Sequence, residues 1–268
     1  MTITPPVRNV SIHDINIVLL RKKERICSKI IGCTFTPNGK FIFADYGTKG
    51  LHILIEDWTS DNLDTKLPAI RNAFDVTCIG DTRLAISTGI HRHISILNIA
   101  SKKIEKIINT SDCCFGITQN EGSLLFCEKA RGISRVQLSD NSISLLVKQE
   151  GFLDHTYVIT SGDNIYHTNN KTNTVCCHTI NGDKLWEFQD AAIIVNPHGV
   201  AVDRDLNVYV ASLGNNSVVM ISPDGRRSRT VLGKSDGIYR PFAICFYKVK
   251  NNLVVCNFNG TAFLYKVE

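Results

Sequence analysis

Short apolar runs separated by polar turns cover most of the chain, and their spacing is its most regular property. Runs such as Val200-Ala201-Val202 and Val218-Val219-Met220-Ile221 are too short for helices and lack helical periodicity. They read as strands. Six triplets recur: Phe41-Ile42-Phe43, Leu84-Ala85-Ile86, Leu124-Leu125-Phe126, Ile165-Tyr166-His167, Val208-Tyr209-Val210 and Leu253-Val254-Val255, at spacings of 43, 40, 41, 43 and 45 residues. Each follows a turn rich in Gly, Asn or Asp, for example Pro37-Asn38-Gly39 and Asn120-Glu121-Gly122, where these residues supply the positive φ of a tight hairpin.

One apolar run precedes each turn and another follows each triplet, so the repeating unit is a small antiparallel sheet. Such a sheet cannot bury both faces alone, and at this period the solution is radial stacking. The pattern predicts an all-β, six-bladed propeller of four-stranded antiparallel blades, with blades starting near residues 31, 73, 114, 155, 197 and 241. The last unit runs out of chain before a fourth strand. The segment Ile15-Asn16-Ile17-Val18-Leu19-Leu20 precedes the first unit and is expected to complete the last one, closing the ring and removing a bare sheet edge.

Composition adds limits. Hydrophobic residues are 43% of the 268, enough for a real core, and the whole chain is expected to form one propeller domain. The formal charge of +5 permits an anionic partner without marking a polybasic chain. No apolar stretch is long enough for a membrane helix, and the N-terminal MTITPPVRNV lacks a signal-like apolar region. The ten cysteines (27, 33, 78, 113, 114, 127, 176, 177, 245 and 256) show no C-x-x-C or Cys–His ligand spacing. They read as reduced thiols, most of them small core hydrophobes, in a cytoplasmic protein.

The fifth unit, Asn196-Pro197-His198-Gly199-Val200-Ala201-Val202-Asp203, continuing through Asn207-Val208-Tyr209-Val210-Ala211-Ser212 to Asn215-Asn216, resembles the NHL repeat, with Ser212 in place of the usual Asp. Gly32-Cys33-Thr34-Phe35 and Phe43-Ala44-Asp45 in the first unit, Gly116-Ile117-Thr118 in the third, and Pro241-Phe242-Ala243-Ile244 in the sixth echo it. The chain is similar to the C-terminal propeller of tripartite-motif (TRIM-NHL) proteins. That resemblance implies a recognition module for a protein or RNA partner. Ubiquitin transfer in that family belongs to a RING absent from these residues, so this chain is expected to be non-catalytic.

With the innermost strand first in each blade, the loops after the second strand share one face with the inter-blade connections. Those loops carry Tyr46, Lys49, His91, Arg92, Lys129, Arg131, Lys171, Asn215, Asn216 and Phe258, the candidate binding residues of a moderately basic top face. The opposite turns carry Asp81, Glu121, Asp163, Asp203 and Asp224, predicting an acidic bottom, although Asp is favoured in tight turns for local reasons alone. Aromatic and Arg side chains on one face suit a protein interface. His91, Tyr46 and Phe258 are equally suited to stacking on single-stranded RNA, and the sequence leaves the two open.

No small-molecule substrate, membrane partner or cofactor is expected. Some NHL-like propellers hold zinc through channel histidines and act as lyases, and gluconolactonase-like hydrolases hold calcium or zinc, so a metal-dependent hydrolase or lyase is the third reading. His91 and His93 alone make a weak metal site. The inward ends of the inner strands, Cys33, Val76, Ile117, Val158, Val200 and Ile244, are apolar and predict a plugged core. No nucleophile elbow or phosphate loop is present.

Overall fold

The computed structural model describes residues 11–47, 50–54, 72–149 and 155–268. Apart from one short 3-10 turn, the regular elements are strands, arranged as six antiparallel sheets. Strand β1 (Ile17–Lys23) precedes the first blade. Blade 1 comprises β2 (Ile30–Phe35), β3 (Phe41–Asp45) and β4 (Gly50–Leu54). Blade 2 comprises β5 (Asp75–Ile79), β6 (Arg83–Ser87), β7 (His93–Asn98) and β8 (Lys103–Asn109); blade 3, β9 (Cys114–Asn120), β10 (Ser123–Glu128), β11 (Gly132–Gln137) and β12 (Ile143–Lys148). Blade 4 holds β13 (Val158–Ser161), β14 (Asn164–Asn169), β15 (Thr174–Thr179) and β16 (Lys184–Gln189), and blade 5 holds β17 (Pro197–Val202), β18 (Val208–Ser212), β19 (Ser217–Ile221) and β20 (Ser228–Leu232). Blade 6 holds β21 (Pro241–Tyr247), β22 (Asn252–Asn257), β23 (Ala262–Val267) and, as its outer strand, β1.

The six inner strands pack in a ring: β2 on β5, then β9, β13, β17 and β21, which returns to β2. The recurrent triplets are the second strands, and they are buried on both sides because each blade is sandwiched between neighbours. Ile42, Ala44, Leu51 and Ile53 of blade 1 meet Val76, Leu84, Ile86 and Leu97 of blade 2, so the apolar core lies between blades. Outer strands keep one wet face, and β8 alternates accordingly. Neighbouring inner strands approach closely at the repeat glycines. A Cβ on Gly116 would sit 2.5 Å from Tyr157 Cα, and one on Gly32 would sit 2.7 Å from Asp75 Cα.

Ring closure follows the sequence expectation. β1 pairs antiparallel with β23, from Ile17–Val267 to Lys23–Ala262, with a bulge between Leu19 and Arg21. Asn16 and Glu268 exchange two backbone hydrogen bonds of 2.9 Å. Arg229 of β20 donates to the carbonyls of Ile12 and Ile15, fastening the strand's approach to blade 5. No helix among the described residues is long and apolar enough to cross a membrane.

Candidate functional site

The two ends of the ring differ in construction. At the top, the first residues of the inner strands and the connections leading into them converge on the axis as aromatic rings. Phe74 lies 5.1 Å from Phe115 and 5.4 Å from Tyr157 between ring centroids, and Phe242 lies 4.1 Å from His198 and 5.2 Å from Phe258. His155 joins the same cluster. These rings close the upper end of the axis. The Tyr157 hydroxyl crosses it, donating to the Ile31 carbonyl at 2.5 Å.

Below this cap the axis is open. A cavity of about 480 Å³ is lined by Cys33, Val76, Ile117, Val158, Val200 and Ile244 among others, and reaches the bottom face beside Pro37, Gly80 and Val249. The six apolar inward positions do line the axis, yet the core expected to be plugged along its length is filled only at the top. The six inward positions hold Cys, Val and Ile, which are short against the width of the ring. Asp75 is the one carboxyl on this wall. Its Oδ2 accepts the Ile117 amide of the next blade at 3.0 Å, its Oδ1 accepts the Val76 amide, and burial pushes its carboxyl up to about 8 despite those bonds. Among the described residues the channel lining contains no histidine and one carboxyl, so these residues do not fit a zinc held by channel histidines.

The bottom is mixed rather than acidic. Its turns carry Asp81, Glu121, Asp140, Asp163, Asp183, Asp203, Asp205 and Asp224, together with Lys40, Lys102, Arg204, Arg226, Arg227, Lys248 and Lys250. The turn aspartates serve local ends. Asp224 accepts Ser222 Oγ and the Arg226 amide, and Asp203 is buried on the Asn207 amide, Asn207 Nδ2 and Tyr209 hydroxyl. Lys248 spans the channel mouth to Ser161 Oγ at 2.7 Å.

A polar residue ends the second strand of every blade: Asp45, Ser87, Glu128, Asn169, Ser212 and Asn257, all at most 2% exposed. These side chains staple the top loops. Asp45 Oδ1 takes the Lys29 and Gly47 amides, Glu128 takes the Asp112 amide, and Asn257 takes the Tyr239 amide. Ser212 fills the role with a hydroxyl that receives the Val195 amide, so the repeat's unusual Ser is a shorter version of the same staple.

The predicted site residues divide by role. Lys49 lies outside the described residues. Tyr46 is 49% exposed, Lys171 is exposed, and His91 stands beside Asn72. Arg92 faces Asp112 at 3.6 Å with its side chain 61% exposed, whereas Arg131 is held by buried Glu128 and by Ser111, so Arg131 is paired within the fold and Arg92 stays open to solvent. Lys129 is half-buried, its amide bonded to the Cys113 carbonyl. Asn215 and Asn216 are architectural. Asn215 bonds the Ala192 carbonyl, and Asn216 accepts the Arg240 amide at 2.8 Å. Phe258 is half-buried at the top centre, with Lys29 Nζ 5.5 Å and Arg240 Cζ 5.3 Å from its ring centroid.

Sequence reasoning passed over Lys29, Ile90 and Tyr239. Ile90 is 68% exposed and Tyr239 58%, and both lie in top-face connections. A large apolar residue inside a polar turn was the available signal. All ten cysteines are free, and the adjacent pairs Cys113–Cys114 and Cys176–Cys177 are buried. Burial raises the thiols of Cys114, Cys176 and Cys177, as expected of core hydrophobes.

No known family model and no curated protein matches the chain. Solved structures do. A protein of unknown function from Bacteroides thetaiotaomicron is similar at 14% identity and a TM-score of 0.75, over 95% of this chain and 76% of that one. Virginiamycin B lyase from Staphylococcus aureus is similar at 17% identity and 0.62, over 95% and 89%; a streptogramin B lyase gives 14% and 0.62, over 95% and 87%. The chain has the six-bladed propeller fold. At these identities the likeness concerns the fold and carries no catalytic residue across.

Proposed function

We propose that the chain is a non-catalytic recognition module whose top face, over blades 6, 1 and 2, binds a protein partner with acidic side chains. The observation that carries this reading is a connected arc of rings and cations. Tyr239 adjoins Arg240; Arg240 and Lys29 flank the Phe258 ring; and the Lys29 carbonyl accepts the Tyr46 amide at 3.0 Å. Tyr239, Tyr46 and Ile90 expose apolar surface from this region. Exposed aromatic and aliphatic side chains interleaved with Arg and Lys are the usual anchors of a protein interface. Ile90 and the aliphatic surface it exposes bring no hydrogen-bonding group to a base edge, which weighs toward protein over RNA. The resemblance of residues 196–216 to the NHL repeat supports the same role, that of the partner-selecting propeller in TRIM-NHL proteins. The lyase neighbours, at 17% and 14% identity, share the fold.

The test is affinity capture and crosslinking with the wild-type chain and with a Lys29→Glu, Tyr46→Ala, Tyr239→Ala variant. Protein partners held by the wild type should be lost by the variant. Undiminished capture overturns the arc. Binding to single-stranded RNA that weakens steeply with salt would favour the nucleic-acid reading instead.

A further inference from the structure

We propose that Cys27, Asp45 and His52 form a binding site for a zinc-class transition-metal ion at the joint between blades 6 and 1. The three donors come from separate segments: the connection from β1 to β2, the end of β3, and the middle of β4. Asp45 pairs with Gly50 and Phe43 with His52, so Asp45 and His52 are diagonal neighbours on one face of the β3–β4 hairpin. Cys27 is brought over them by blade 6. The Ile26 amide donates to the Gly260 carbonyl, and a Cβ on Gly260 would strike the Cys27 carbonyl oxygen at 1.9 Å.

The thiol sulfur, a carboxylate oxygen and an imidazole nitrogen all lie within 4.8 Å of one another. Asp45 Oδ2 is 3.4 Å from His52 Nε2. A tetrahedral ion with bonds of about 2.1 Å to N and O has an N···O edge of about 3.4 Å, so this pair is already at ligand spacing. The sulfur lies within 4.8 Å of both, against a tetrahedral edge of about 3.6 Å for bonds of about 2.3 and 2.1 Å, so a side-chain adjustment of the thiol completes the set. Sulfur, nitrogen and oxygen together are a zinc-type donor set rather than one for calcium or magnesium, and three protein ligands leave a fourth position for water or a partner's group.

Asp45 is oriented for the task. Its Oδ1 holds the Lys29 amide, the Gly47 amide and Ser28 Oγ, and its Oδ2, which the Ser28 amide approaches at 3.4 Å, faces His52. Such outer bonds fix a ligand's rotamer before the ion arrives. The other blades share the staple but not the set. The positions equivalent to His52 hold Ile96, Ser134, Cys176, Val219 and Phe263, and no other such trio occurs among the described residues. Blade 1 thus elaborates a structural position into a chelating one.

Chelator-treated protein titrated with Co²⁺ should take up one ion per chain and develop a thiolate-to-cobalt charge-transfer absorption, which Zn²⁺ then displaces. His52→Ala and Cys27→Ser should each abolish that absorption and weaken Zn²⁺ binding by about 100-fold. Cys176→Ser, in blade 4, should leave both intact. Circular dichroism checks that each variant is folded; if Cys27→Ser does not fold, half-exposed His52 decides alone. Absence of the absorption in folded wild type, or its survival in folded His52→Ala, overturns the proposal.

Discussion

The Tyr157 hydroxyl and the Ile31 carbonyl meet at 2.5 Å although 126 positions separate them in the chain. The bond runs from blade 4 to blade 1, across the axis, above a cavity of about 480 Å³. It is a direct polar link between blades that share no sheet edge. Tyr157→Phe removes the donor and leaves a buried carbonyl short of a partner, at a cost of about 1–2 kcal/mol. The urea midpoint of unfolding should fall accordingly, with the slope unchanged.

Stability should peak near pH 6.5. Burial holds Asp75 up to about 8, so the folded chain keeps a proton there that the unfolded chain has released above about 4. That contribution is complete below about pH 4 and is lost as pH rises through 8. Burial holds His167 and His198 down to about 3, so their contribution is present above about 6.5 and is lost as pH falls. Below 6.5 the lowered histidines, His178 among them, oppose Asp75 and the likewise raised Asp203, and just above 6.5 the loss of the Asp75 contribution dominates. Each net proton gives a slope of about 1.4 kcal/mol per pH unit. Melting temperatures from pH 5 to 9 check this, and Asp75→Asn should flatten the alkaline limb.

Gly116→Ala places a methyl group 2.5 Å from the Tyr157 Cα, a backbone atom of the next inner strand that cannot rotate away. The two blades must part, and a loss of about 1–3 kcal/mol is expected. Thermal unfolding of this variant against Gly233→Ala, in extended backbone with nothing within 4 Å, separates crowding from loss of backbone freedom.

Deleting residues through Lys23 bares the edge of β23 and removes the acceptors that Arg229 uses. The shortened chain should associate through that edge at concentrations where the full chain does not. Light scattering reads the difference, and an equally monomeric truncation would count against a protective role for β1.

The fold was legible because its period is carried by buried second strands, whose apolar triplets cannot drift without exposing themselves. Ser212 was legible as a departure from the repeat, but its staple to Val195 was visible only in three dimensions. The top-face charges were read too simply. Arg92 looks free in sequence, yet Asp112 of the following inter-blade connection is folded against it, and Arg131 is held by Glu128, three positions earlier, whose carboxylate is buried at the end of β10. The bottom is more mixed than its aspartates alone suggest, because Arg226, Arg227 and Lys248 stand in its turns as well. Cys27, Asp45 and His52 share no motif spacing, since a hairpin diagonal and a neighbouring blade bring them together.

The β1–β23 ladder also fixes how the ring responds to force. Ile17 opens β1 and Val267 ends β23, and they face each other on the first rung. Tension applied at the two chain ends therefore acts on a single rung at a time, peeling the ladder from Ile17–Val267 toward Lys23–Ala262 rather than sliding one strand along the other. The seam that completes the circle is its mechanically weakest line.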